Sequence, residues 1–112
     1  MEAAKQNRIQ HLEKFLKEDP QNAFTHYALA LELVEVDTER SLRLFDYLLQ
    51  DHPDYTGTYY HAAALYAETG QIEKAQNIYE KGIEVLKTAN EQKALQELQN
   101  AYQNFLFEEG LD

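Results

Sequence analysis

The chain is similar to itself. Phe24, Tyr27, Ala28 and Leu31 align with Tyr59, Ala62, Ala63 and Tyr66 at an offset of 35 residues. Phe45 and Leu48 align with Tyr79 and Gly82 at an offset of 34, and Pro20 aligns with Pro53 at 33. The offset drifts because the turn after Leu31 is one residue longer than the turn after Tyr66. Self-similarity at such a period marks supersecondary units that cannot bury their apolar faces alone and must stack on neighbours.

Each unit reads as a pair of helices. Tyr59, Ala62, Ala63 and Tyr66 fall at i, i+3, i+4 and i+7, which is one face of a helix over about 55–69. Gly70 sits where a helix end favours a left-handed residue. The same spacing predicts a helix over about 3–18 from Ile9, Leu12, Phe15 and Leu16. A second, over about 21–35, carries Phe24, Tyr27, Ala28, Leu31 and Val34 on one face. A third, over about 38–51, carries Leu42, Phe45, Leu48 and Leu49, with Asp37 or Thr38 as its N-cap. Ile72, Ala75, Ile78, Tyr79, Ile83 and Leu86 predict a helix over about 71–87. A last helix starts near Thr88, which has capping-box spacing to Glu91. Its stripe is Leu95, Leu98, Ala101, Tyr102, Phe105 and Leu106. Pro20 and Pro53 close the helices before them. No strand pair is visible, and two prolines and four glycines are too few for a many-turned all-β chain.

The pattern resembles the tetratricopeptide repeat family, whose signature is a helix-turn-helix of ~34 residues with W-x2-L-G-x2-Y, A-x3-F and P positions. The second copy carries the resemblance best. Tyr59 stands for the tryptophan, Ala62 and Ala63 for leucine-glycine, and Tyr66 for the tyrosine; Ala75 and Tyr79 follow, and Lys87 replaces the proline. The first copy keeps Phe24, Ala28, Phe45 and Pro53 but has Tyr27, Leu31 and Ser41 at other positions. Leu12, Phe15 and Pro20 resemble a second helix without its first. The resemblance spans residues 8–87 and implies an all-α fold: a right-handed stack of antiparallel helix pairs, six helices in one domain over 1–112. Its parts are a leading helix (1–19), repeat 1 (21–53), repeat 2 (55–87), a capping helix (88–108) and a frayed tail (109–112).

Composition narrows function by exclusion. Ten basic residues face twenty acidic ones, a net charge of -10, with no basic stripe. Displacing counterions from phosphates needs such a stripe, so nucleic acid and anionic membrane surfaces are not expected partners. No run approaches the ~20 apolar residues of a membrane span. With no cysteine and no secretory-type apolar start, a cytoplasmic location is expected. His26 and His61 occupy equivalent places in the two copies, but neither has zinc-type ligand spacing around it. DHPD at 51–54 is what a helix stop looks like. No nucleophile elbow, glycine-rich phosphate loop or acid–base pair can be assembled. No enzyme activity, cofactor or metal is expected.

The resemblance implies a binding function instead. In that family the first helix of each repeat lines a groove for an extended peptide or partner helix. Carried over by position, the groove residues are Asn22, Thr25, Leu29, Glu32 and Leu33 in the first copy. In the second they are Gly57, Tyr60, Ala64, Ala67 and Glu68, with His26 and His61 at the edge. Tyr60 is the expected anchor, since tyrosine brings area and a polar tip at low entropic cost. The subfamily that clamps a partner's terminal carboxylate uses cations where this chain has Thr25, Leu29, Tyr60 and Ala64. With Glu32 and Glu68 nearby, a neutral or basic protein or peptide is the expected partner. The alternative is a structural, homo-oligomerising helical protein with no open groove, paired as a homodimer through Tyr55, Phe105, Phe107 and Leu111.

Overall fold

The computed structural model describes residues 2–111. They form six α-helices: α1 Glu2–Glu18, α2 Ala23–Leu33, α3 Thr38–Asp51, α4 Gly57–Glu68, α5 Ile72–Ala89 and α6 Gln92–Glu109. α2 packs against α1 and α3, and α6 against α5, and no strand occurs among the described residues. Two compact units result, one ending at Thr58 and the other beginning at Tyr59.

In the first unit α2 packs against both α1 and α3. Its boundaries are tighter than the expected 21–35. The Asn22 side chain accepts from the Thr25 backbone N–H at 2.9 Å and from the Thr25 hydroxyl at 3.1 Å, which starts the helix. Beyond Leu33 the chain turns, and the Asp37 N–H returns to the Leu33 carbonyl at 2.8 Å. Asp37 then caps α3 by accepting from the Arg40 N–H at 3.2 Å. The face of α2 differs from expectation. Thr25, His26, Leu29, Ala30 and Leu33 are buried, whereas Phe24 is 63% exposed. AFTHYALALEL is apolar nearly all round, as suits a helix covered on two sides, so periodicity alone fits more than one phase. α3 answers with Leu44, Phe45 and Leu48. Ser41, fully buried, donates to the Ala30 carbonyl at 2.7 Å and ties α3 to α2. α1 buries only Ile9. Two guanidinium clamps supplement it: Arg8 to Glu32 at 2.8 Å, and Arg40 to both Glu13 oxygens at 2.5 and 2.7 Å.

In the second unit α4 splits as the spacing predicts: Tyr59, Ala62, Ala63 and Tyr66 are all buried. The helix ends on Gly70 at φ +83°. The Gly70 N–H reaches the Ala67 carbonyl at 3.1 Å and the Gln71 N–H reaches Tyr66 at 2.9 Å, a Schellman closure. α4, α5 and α6 converge on Gly82. A Cβ there would lie 2.6 Å from the Tyr59 Cβ and 2.8 Å from the Leu98 Cδ2. α5 runs on through Thr88, whose hydroxyl donates to the Glu84 carbonyl at 3.1 Å, so the expected capping box of Thr88 and Glu91 does not form. Asn90, at φ 59°, ends the helix instead, by the same Schellman pattern. α6 packs on α5 and closes on Gly110, with the Leu111 N–H bonded to the Leu106 carbonyl at 2.8 Å. Of the tail expected to fray, Glu109 is still helical and Asp112 lies outside the described residues.

Candidate functional site

The expected groove residues of the first unit serve mainly to hold the unit together. Asn22 is the α2 cap, and Glu32 is engaged by Arg8, whose N–H bond holds the carboxyl below the usual range. Thr25, Leu29 and Leu33 are buried. His26 is buried too. Its Nε2 lies 2.7 Å from the Pro20 carbonyl, which can only accept, so that nitrogen carries the proton. The imidazole stacks on Tyr47 at 4.0 Å between centroids, and its Nδ1 has no partner. His26 thus fastens the α1–α2 turn to α3. His52, the α3 C-cap, faces the Tyr47 hydroxyl at 3.4 Å. Among the described residues no three His, Cys, Asp or Glu side chains gather as metal ligands. Among those residues no helix is long and apolar enough to cross a membrane.

The second unit keeps its expected positions open. On α4, opposite the buried face, Tyr60 is 47% exposed, Glu68 is exposed, and His61, Ala64 and Ala67 are half-buried. Tyr60 and His61 meet edge to face at 5.3 Å, and burial pushes the His61 pKa down, favouring the neutral ring. Gly57 precedes this stretch and lies under the Tyr27 ring, where a Cβ would touch Cζ at 3.4 Å.

Sequence reasoning left out a tyrosine cluster beside this face. Tyr79 of α5 is 5% exposed and packs against Tyr102 and Phe105 of α6 at 5.3 and 5.2 Å. The Tyr102 hydroxyl donates to Glu80 at 2.5 Å and accepts from Gln76 at 3.4 Å. Burial first, then the nearby Tyr60 and Glu108, raises the Tyr79 pKa. The signal was present in the inward stripe that holds Tyr102 and Phe105, but the capping role assigned to α6 hid their pairing with Tyr79. Nearby, Lys74 Nζ stands 4.3 Å above the Tyr66 ring.

The family described as Tetratricopeptide repeat matches residues 35–99. A solution NMR structure of a tetratricopeptide repeat domain protein from Salinibacter ruber is 43% identical, covering 84% of this chain and 93% of that one, with a TM-score of 0.74. This chain belongs to the tetratricopeptide repeat family. A crystal structure of a tetratricopeptide repeat domain protein from Salinibacter ruber agrees, at 42% identity over 81% of this chain and 99% of the other, TM-score 0.72. The crystal structure of MamA protein, 23% identical over 95% of this chain and 64% of that one, TM-score 0.68, shares the fold. No curated protein matches. Tetratricopeptide repeat domains typically mediate protein–protein interaction and are generally non-catalytic.

Proposed function

We propose that this tetratricopeptide repeat protein is a non-catalytic binding module that takes a neutral or basic peptide on the open face of α4. The observation that carries this is the contrast between adjacent residues. Tyr59 is buried in the core, while Tyr60 is 47% exposed beside half-buried His61, Ala64 and Ala67. Small side chains around one projecting aromatic leave room for a backbone to approach, and the ring supplies an anchor. Glu68 at the end of this face, within a chain of net charge -10, disfavours an acidic ligand. Of the first repeat's expected set, only the exposed edge of Asn22 is free of a buried or ion-paired role, so α4 carries the reading.

The test compares wild type with Tyr60→Ala in co-precipitation, followed by direct titration of any purified partner. Tyr60→Ala should hold stability within ~0.5 kcal/mol, as for other surface changes, and abolish capture. Equal recovery of every partner would sink the proposal. A second reading, self-association, is favoured by Phe107 at 74% exposure with Leu111 one turn on. Of the other residues expected to pair chains, Phe105 is buried and Tyr55 lies against Tyr27 at 5.4 Å. Light scattering over a concentration series decides it: a constant monomer mass removes this reading.

A further inference from the structure

We infer that the outer face of α6 pairs with the same face of a second copy of this chain, antiparallel, as a reversible two-fold dimer. This deepens the self-association reading and is independent of the α4 one. α6 is divided lengthwise. Leu98 and Phe105 are buried. Lys93, Glu97 and Glu108 share one exposed flank. Between the two run Gln92, Gln96, Gln99 and Gln103, all exposed, at i, i+4, i+7 and i+11, the spacing of a helix–helix seam. Half-buried Leu95 and Leu106 border them, and Phe107 continues the face at 74% exposure. No charged residue lies along it. A chain of net charge -10 repels its own copies, and an uncharged face is where that repulsion is least.

The seam has a cleft at its head and a knob at its tail. The cleft, about 440 Å³, opens where α5 ends and α6 begins. Leu86, Leu95, Gln96 and Gln99 help line it, and its two charged members, Lys87 and Glu91, are of opposite sign. A cavity of ~150 Å³ already takes a benzene ring. The knob is Phe107, the most exposed large apolar side chain among the described residues. Cleft and knob sit at opposite ends of α6, so an antiparallel copy brings each Phe107 to the other's cleft. With the two-fold axis level with Ala101, Phe107 lies opposite Leu95 and Gln99 opposite Gln103, where amides pair donor to acceptor. The same register sets Lys93 beside Glu108 of the second copy, on the flank those residues share. Neither makes an ion pair among the described residues. A parallel pair would set Glu108 against Glu108 and leave both clefts open. α6 is about 27 Å long at 1.5 Å per residue, and one face of it covers less than the ~1,200 Å² of stable interfaces, so the pair is reversible.

The test is sedimentation equilibrium of the full chain over a concentration series. The mean mass should rise from monomer towards dimer. Phe107→Ser removes an exposed ring twice per dimer and should weaken association about a hundredfold, with an unchanged circular dichroism spectrum. Lys93→Glu and Glu108→Lys should each weaken it about fivefold. The double variant, whose net charge is again -10, should return to the wild-type value. A wild-type mass fixed at monomer would overturn the inference together with self-association. A dimer indifferent to Phe107→Ser, or a double variant no tighter than the singles, would overturn the α6 pairing while self-association stands through another face.

Discussion

Replacing Gly82 by alanine sets two effects of opposite sign against each other. In an exposed helix the change gains about 1 kcal/mol from backbone propensity. Here the added methyl would sit 2.6 Å from the Tyr59 Cβ, 2.8 Å from the Tyr59 Cγ and 2.8 Å from the Leu98 Cδ2. Ordinary carbon contacts are ~3.5–4.0 Å, so the misfit is about an ångström on two sides. Both neighbours are almost completely buried, and the Tyr59 atoms in question adjoin its backbone, so no free rotation relieves them. Overpacking of this kind costs about 1–3 kcal/mol and, where helix axes must part, more. The steric term should win, leaving a net loss of about 1–2 kcal/mol. With a urea slope of ~1–3 kcal/mol per molar, the unfolding midpoint followed by far-UV circular dichroism should fall by ~0.3–2 M. Leu98→Ala removes one of the two obstacles, so the double variant should be less destabilised than the sum of the singles. A gain of ~1 kcal/mol in Gly82→Ala alone would refute the convergence of α4, α5 and α6 at this point.

Ser41→Ala should cost about 1 kcal/mol in urea unfolding, because it leaves the buried Ala30 carbonyl without its 2.7 Å donor. Asn90→Ala should cost about 1 kcal/mol by forcing a Cβ residue without a helpful side chain into the left-handed region, whereas Asn90→Gly should be neutral or better; thermal melts compare them. The Glu13–Arg40 pair, both side chains about one-third exposed, should show a coupling of ~0.2–1 kcal/mol in a double-variant cycle that shrinks in high salt. Hydrogen bonding to arginine holds the Glu13 and Glu32 carboxyls below their usual range, so their contribution is complete above about pH 4.3 and is lost as pH falls through the lower folded values. Unfolding curves at pH 7 and pH 3 should show that loss, and Glu13→Gln should reduce the difference between them.

Local chemistry decided what was legible in the sequence. The packed face of α4 stands out because Tyr59, Ala62, Ala63 and Tyr66 are aligned while Tyr60 and His61 break the stripe. Gly70 and Asp37 announce their turns because few residues tolerate those positions. α2 is opaque for the opposite reason: when nearly every residue is apolar, helical phase is set by the two helices that cover it, and Thr25, Leu29 and Leu33 turn inward. Asn90 was hidden behind Thr88, since a threonine three residues before a glutamate looks like a helix start even inside a helix. The tyrosine cluster was half legible: the stripe put Tyr102 and Phe105 on one face of α6, but their meeting with Tyr79 depends on the register of α6 against α5, which no local spacing encodes.

The thin attachment of α1 has a kinetic consequence. One aliphatic side chain in the interior and two arginine clamps on the rim make it the element that should detach first, well before the rest of its unit melts. Its amides should exchange with deuterium fastest among the helices flanking α2, and limited proteolysis should cut the Asp19–Gln21 turn earliest. Raising ionic strength or lowering pH should accelerate both, since each weakens the Arg8–Glu32 and Arg40–Glu13 pairs.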